Sequence, residues 1–339
     1  MTERALVTGA TGFVGHHLVP ALLERGYEVE CLVRPKSNTS NLEMPGVSFV
    51  EGDVTALETL LDPVSRVDEV YHLAGRTAAF SLEDYLVVNE AGPRNVAEAC
   101  ARSQSPPRLI VASSAAAGGS SSPSKFRTEE DPPEPVSIYG RSKLAGEEAV
   151  RAYADAVPIS IVRPPMVFGE YDVEFFRMFK FVNRGLHIVP GRPTKCYSIV
   201  HAADLAHGFI LAAKHGEQLP GQSDWSGYSG MGIYYFTDKT HPTYAELGLM
   251  IAEALGRSKV RLVIIPQSII WVLAAFVDVY SRIRRKPSVL SMDKAREAEL
   301  GARTCSSAKA AEQLGFQPAT SLIDRMRQTG EWYKEEGWL

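Results

Sequence analysis

Cysteine is scarce in this chain. Four residues, Cys31, Cys100, Cys196 and Cys305, are scattered over 339 positions without a CxxC pair. Such a set excludes a disulfide framework and a zinc site of ordinary spacing, and it fits buried thiols in a reducing, cytoplasmic compartment. Excess charge of one sign is missing too. Lys and Arg number 36 against 40 Asp and Glu, a formal net charge of -4. That balance gives no overall pull toward nucleic acid or an anionic membrane, so nucleic acid is set aside as a partner and any basic site must be local. No cleavable leader is expected, because Met1-Thr-Glu-Arg4 passes directly into Ala5-Leu-Val-Thr-Gly9. A long unbroken apolar run is also absent. The nearest approach, residues 262–280, is interrupted by Pro266, Gln267 and Asp278, which argues against a membrane span, and Arg282, Arg284, Arg285 and Lys286 follow it. We read this stretch as a core helix with a solvated basic end; the alternative is a surface helix over 262–286 that touches membrane or lipid. No internal repeat stands out.

What is there is ordinary globular material: 45% apolar and 22% charged, long enough for one large α/β domain or two packed ones. The first half alternates short apolar runs with helical spacing. Strands are predicted at 4–8, 27–33, 48–51, 67–73, 108–113 and 158–163, and helices at 14–25, 93–102 and 137–155. This alternation predicts a parallel sheet covered on both faces. Residues 118–135, rich in Ser, Pro and charge, form a predicted loop long enough to be functional. Beyond residue 165 the alternation is lost, and helices are predicted at 173–185, 203–214, 243–256, 268–284 and 322–334. The expected organisation is a sheet domain over 1–165 and a smaller, mostly helical substrate domain over 166–339, with some segments of the second half returning to the first.

Thr8-Gly-Ala-Thr-Gly-Phe-Val-Gly15 leaves the first strand and opens the first helix. Gly9 permits a tight turn, Gly12 lets backbone approach a pyrophosphate, and Gly15 lets helix and strand pack closely. The helix N-terminus adds free N–H groups and the positive end of its dipole. The spacing is GxxGxxG, and its place between strand and helix gives it weight as a dinucleotide cradle. An acid for the ribose hydroxyls of NAD is missing where the second strand ends; Val33, Arg34 and Lys36 stand there. A guanidinium in that place suits a 2′-phosphate, with Lys36 adding charge. NADP(H) is therefore the expected cofactor and NAD(H) the alternative, against the plainer reading of a solvated basic turn. Asp53 can accept from an adenine amine or only cap a helix.

Tyr139-Gly-Arg-Ser-Lys143 sets a phenol and an ammonium four residues apart, on one face of a helix. A phenol titrates at about 10, too high for a base at neutral pH, and a fixed ammonium beside it favours the phenolate. The same lysine can hydrogen-bond the nicotinamide ribose. Ser114, at the end of a predicted strand, can give a substrate carbonyl its second hydroxyl contact, and Ser113 can replace it.

In order along the chain stand the glycine motif, Gly52-Asp53-Val54, His72-Leu-Ala-Gly75, Asn89-Glu-Ala-Gly92, Ser113-Ser114, Tyr139 with Lys143, Arg163-Pro-Pro165 and His201-Ala-Ala-Asp204. Leu314-Gly-Phe-Gln-Pro318 and Trp332-Tyr-Lys-Glu-Glu-Gly-Trp338 close it. This series resembles the extended short-chain dehydrogenases/reductases of the NAD-dependent epimerase/dehydratase superfamily. The resemblance implies a Rossmann-type doubly wound parallel sheet, an α/β fold, with a helical substrate domain. Besides Arg34, Lys36 and Asp53, it implies cofactor contacts from Gly9, Thr11, Gly12, Phe13, Val14, Gly15, Val54, Leu73, Ala74, Gly75, Asn89, Tyr139, Lys143, Pro164 and Val167. It further implies Ser114 orienting the substrate oxygen, Tyr139 transferring the proton, Lys143 setting its pKa, and a homodimer paired through residues 93–102 and the Tyr139 helix.

Nucleotide-sugar members commonly carry an Asn after the Arg-Pro and an Arg ahead of the His-Val-Asp-Asp stretch, both gripping the diphosphate. Met166 and Tyr197 stand in those places here, with Arg192 and Lys195 as substitutes. The basic strand end and apolar cap look closer to the dihydroflavonol reductase and 3β-hydroxysteroid dehydrogenase branch, which implies a small apolar ketone or secondary alcohol. The rivals are a nucleotide-sugar epimerase or dehydratase and, from another class, a non-catalytic NADP(H)-binding regulator. His16 and His17 are expected to pack or face solvent, and His201 and His207, six apart, to hold no metal. Trp225, Tyr228, Tyr234 and Tyr235 read as a β-hairpin on the cap or as the edge of the substrate pocket.

Overall fold

A computed structural model describes residues 2–121, 125–191, 193–221, 227–285, 287, 292–299 and 304–339. Arg192, Trp225 and Lys286 lie outside the described residues. Among the described residues, eleven strands run β1 (Arg4–Thr8), β2 (Glu28–Val33), β3 (Val47–Glu51), β4 (Glu69–His72), β5 (Arg108–Ala112), β6 (Ile159–Val162), β7 (Met166–Phe168), β8 (Leu186–Pro190), β9 (Ile199–His201), β10 (Ile233–Tyr234) and β11 (Arg261–Ile265). Seven of them form one sheet in the order β10-β6-β5-β4-β1-β2-β3, every neighbour parallel. Ala5, Leu6 and Val7 are buried in succession. A run without alternation is what a strand covered on both faces requires.

One face is covered by the helix Gly15–Leu23 and by Ala202–His215, which pack with Val7, Val29 and Ile110. The other is covered by Ala91–Arg102 and Ile138–Arg151, with Leu6, Val70 and Ile161 beneath them. A third core, built on Phe168, Phe179, Leu247, Ile251 and Met326, belongs to the helical second half. That half also gives the sheet domain its covering helix Ala202–His215 and a seventh strand.

The seventh strand corrects the hairpin expected around Tyr234. Ile233 and Tyr234 pair in parallel with Ile161 and Val162 of β6. Gly230 and Gly232, both at positive φ, turn the chain onto this edge, and two residues are too few to display a strand period. A second correction concerns residues 262–280. Their first part is β11, paired with β8, and the helix Gln267–Arg284 buries Ile270, Ala274 and Ser281 while most of its apolar side chains face outward. It is not a core helix. Among the described residues no helix is long and apolar enough to cross a membrane.

Strand order reverses between β1 and β4, so a crevice opens beyond their carboxyl ends. The chain turns there at Gly9, whose φ is +73°, and a Cβ on Gly9 would lie 2.6 Å from the Ala74 nitrogen. Gly26 has a similar φ of +83° but nothing within 4 Å of such a Cβ. The pair separates backbone strain from steric contact. Left-handed backbone costs a non-glycine residue on the order of 1–3 kcal/mol. In urea unfolding we expect Gly26→Ala to lose about that much and Gly9→Ala clearly more; equal losses would mean that the approach to Ala74 carries no cost.

Candidate active site

The crevice is a cleft of about 610 Å³ at the ends of β1, β4, β5 and β6. Phe13, Val14, Leu73, Gly75, Ser114, Tyr139, Lys143, Pro164 and Val167 all line it. Strand β5 delivers the serines, because it stops at Ala112 and Ser114 caps the short helix Ala115–Gly118. The Ser114 hydroxyl oxygen accepts from the Ala116 N–H at 3.2 Å, which leaves its own proton available to a ligand. Ser113 is buried, and its hydroxyl donates to Glu147. Both serines line the cleft, but the Ser113 hydroxyl proton is engaged by Glu147.

Ser137 caps the helix Ile138–Arg151 by accepting from Gly140 N–H. The Asp293 carboxylate accepts from the Ile138 N–H at 2.9 Å and is 3.5 Å from the Tyr139 nitrogen, an acidic group at the positive end of the helix. The Tyr139 ring lies 5.8 Å from that of Tyr85. One turn on, Lys143 Nζ donates to the Ala112 carbonyl oxygen at 2.6 Å. Burial pushes the Lys143 pKa down to about 8, opposed by the charge of Glu147. The ammonium form therefore prevails at neutral pH.

Another turn on, Glu147 forms a fully buried bidentate ion pair with Arg163, at 2.9 and 2.6 Å. Arg163 also donates to the Tyr228 and Tyr235 hydroxyls, at 3.1 and 3.3 Å. Sequence reasoning assigned no role to Glu147, although the 139–143–147 spacing puts it on the Tyr139 face. It also missed Asp293, in the first turn of the helix Met292–Glu299, and Arg127, in a stretch without periodicity. Arg127 lines the cleft from the predicted loop over 118–135. Its Nε is buried and has no hydrogen-bond partner among the described residues.

The residues expected to hold the cofactor, away from the cleft, divide by what they touch. A Cβ on Gly15 would run into the Ala10 carbonyl oxygen, and one on Gly12 would meet the Gly9 carbonyl oxygen at 3.1 Å. Together with Gly9 and Thr11 these form a turn that side chains would fill, ahead of a helix N-terminus, and such a cradle fits a dinucleotide pyrophosphate. Arg34 and Lys36 are exposed just beyond β2. The Gly52 N–H donates to Val33 O, which sets the end of β3 beside them. The Asp53 carboxylate accepts from the Thr55 N–H and hydroxyl, at 2.9 and 2.8 Å. Those bonds, with a smaller effect of Arg34, hold it below the usual carboxylate range. Val54 is buried against Gly92. Asn89 uses its amide on Arg76 and Ser142: its oxygen accepts from Arg76 N–H at 2.7 Å, and its nitrogen donates to Arg76 O and Ser142 Oγ, both at 2.9 Å. In this arrangement it clamps the segment after Gly75.

The second half contributes Met166, Phe175, Met178, Tyr197 and Tyr244 to the lining, together with Asp172, Glu174 and Ser198. Tyr235 adds a ring from behind β10. Met166 and Tyr197 thus reach the cleft, whereas Lys195 donates to the Glu299 carbonyl oxygen at 2.8 Å. Where the two halves meet, His17 Nε2 contacts the Glu170 carbonyl oxygen at 3.0 Å and His201 Nε2 the Glu170 carboxylate at 3.2 Å. Burial drives the His17 pKa down to about 4. Among the described residues no group of three His, Cys, Asp or Glu is arranged to hold a metal.

Residues 5–226 match the model of the NAD dependent epimerase/dehydratase family. The chain belongs to this family. A ceramide reductase of Caulobacter vibrioides is 33% identical over 336 residues, 98% of this chain and 95% of the relative. A 3 beta-hydroxysteroid dehydrogenase/Delta 5-->4-isomerase of Mycobacterium tuberculosis is 27% identical, covering 93% and 86%. Among solved structures, the dTDP-glucose 4,6-dehydratase of Streptomyces venezuelae, with NAD bound, superposes with a TM-score of 0.74 at 24% identity over 99% and 98% of the chains. It shares the fold. Family membership makes the protein an enzyme of the extended short-chain type, an NAD-dependent oxidoreductase in the broad sense.

The ion pair supplies the test of this architecture. Removing one partner of a buried pair strands the other and costs about 3–5 kcal/mol. We expect Glu147→Ala to lose that much stability in urea unfolding. A loss below about 1 kcal/mol would mean that Tyr228 and Tyr235 suffice for Arg163.

Proposed function

We propose that this enzyme interconverts an apolar ketone and its secondary alcohol, using NADP(H), with Tyr139 as acid/base. The observation that carries the reading is the meeting of Ser114, Tyr139 and Lys143 in one cleft with Met166, Phe175 and Met178 of the second half. Ser114 has a free hydroxyl proton for the substrate carbonyl oxygen. Tyr139 gives its proton to that oxygen as the alcohol forms, and takes it back in the reverse direction. Lys143, charged and fixed on the Ala112 carbonyl, lowers the cost of the phenolate left behind. Phe175, Met178 and Tyr244 exclude water and offer an aliphatic substrate surface to bury.

The Gly9–Gly15 turn would hold the cofactor pyrophosphate, with Leu73, Pro164 and Val167 about the nicotinamide. Arg34 would take the adenosine 2′-phosphate. When bound, the nicotinamide gives or accepts the hydride. The names of the ceramide and hydroxysteroid relatives agree with a lipid-like substrate for this cleft. Met166 and Tyr197 argue the same way, since they present thioether and ring where a nucleotide-sugar diphosphate would need donors.

Tyr139→Phe should lower kcat/KM for ketone reduction by about 100- to 10,000-fold while cofactor binding is kept, and reduced cofactor should be consumed one for one with product. Turnover without net change in cofactor would replace this reading with epimerisation. In fluorescence titrations we expect NADPH to bind more tightly than NADH, and Arg34→Ala to remove most of that preference. Equal binding, unchanged by the substitution, would assign the protein to NAD.

A further inference from the structure

The helix Gln267–Arg284 is amphipathic in the wrong sense for a core element. Ile269, Val272, Leu273, Phe276, Tyr280 and Ile283 recur at helical spacing on its outward face, with Phe276 73% and Ile283 75% exposed. Its inward face is a narrow strip containing Ile270 and Ala274, packed with Ala295. Single exposed apolar residues are normal, but a continuous stripe over four turns marks a surface that is covered in use. The strand leading into the helix adds exposed Leu262 and Ile264.

The charges at the end of the stripe identify what covers it. Arg282, Arg284 and Arg285 crowd the last turn, all exposed. Asp278 is paired with Arg282 at 3.2 Å, and the Arg284 guanidinium stands 5.6 Å from the Tyr280 ring centre. Apolar side chains beside an aromatic ring and a guanidinium cluster complement an acyl boundary capped by phosphates. The helix is not long and apolar enough to cross a membrane, so it would lie in the plane of the surface.

We propose that this face docks on the surface of an anionic lipid bilayer. Docking sets the cleft beside the membrane. The Arg282 guanidinium stands 5.8 Å from the ring centre of Phe80, close in sequence to the cleft residue Thr77. Asp293, on the helix Met292–Glu299 that packs against the docking helix, accepts from the first N–H groups of the Tyr139 helix. The docking itself is independent of the reaction proposed above.

The test is flotation of the full chain with phosphatidylcholine vesicles, with and without phosphatidylglycerol. The arginine cluster is drawn to anionic headgroups, so the anionic vesicles should retain at least about tenfold more protein, and added salt should remove the difference. Phe276→Asp with Ile283→Asp should abolish retention, and Arg284→Glu with Arg285→Glu should erase the anionic preference. Both variants alter exposed side chains and should keep the wild-type thermal midpoint and cofactor titration. The proposal is overturned if wild type does not float, or if the variants float as wild type does. A wild-type dimer in light scattering that the Phe276→Asp/Ile283→Asp variant turns into a monomer, without vesicle binding, would overturn it too and assign the face to a second copy.

Discussion

The ion pair between Glu147 and Arg163 holds the part of the cleft that carries Tyr139 and Lys143 in place. Neither side chain reaches solvent, so each ion depends on the other and on the hydroxyls around them for its solvation. Glu147 stands two turns from Tyr139 on the same helix, Arg163 follows β6, and Ser113 follows β5. One polar knot therefore fixes the helix, both strand ends and, through Tyr228 and Tyr235, the segment around the seventh strand. Lys143 lies between this knot and the cleft, which is why its ammonium is both desolvated and sustained by Glu147. A phenol can be tuned by such a neighbour only if the neighbour stays put, and the knot leaves it little freedom.

The opposite side of the cleft depends on close approach. Gly9 passes so near Ala74 that the loops after β1 and β4 act as one surface, and Asn89 fastens the continuation of the second loop to the Tyr139 helix through Ser142. The glycine turn and the Tyr139 helix are thus parts of one connected assembly. The lining from the second half is different in kind: thioether and ring side chains dominate it, and such surfaces tolerate single substitutions without disturbing the scaffold that presents them.

Much of this was legible in the sequence because the signals were local. The six first strands fall where apolar runs alternate with helical spacing, and the glycine turn lies where a strand meets a helix. Tyr139 and Lys143 needed only helical arithmetic, and the same arithmetic extended by one turn would have found Glu147. What escaped was non-local. The seventh strand is two residues long and placed by glycine turns. Asp293 and Arg127 come from segments whose position is set by what they rest on. The helix after Pro266 was misjudged because apolar periodicity reports that a face is to be covered and says nothing of what covers it.

The carboxylate of Asp293 reaches the start of the Tyr139 helix from more than 150 positions further along the chain. Sheet half and helical half look separable on paper, yet the helix that carries Tyr139 takes part of its electrostatic setting from the second. An exchange of cap between relatives, the ready route by which such a scaffold would acquire a new substrate, would carry with it a change in the proton chemistry of a half left untouched. In this chain, the second half and the setting of the Tyr139 helix are inherited together.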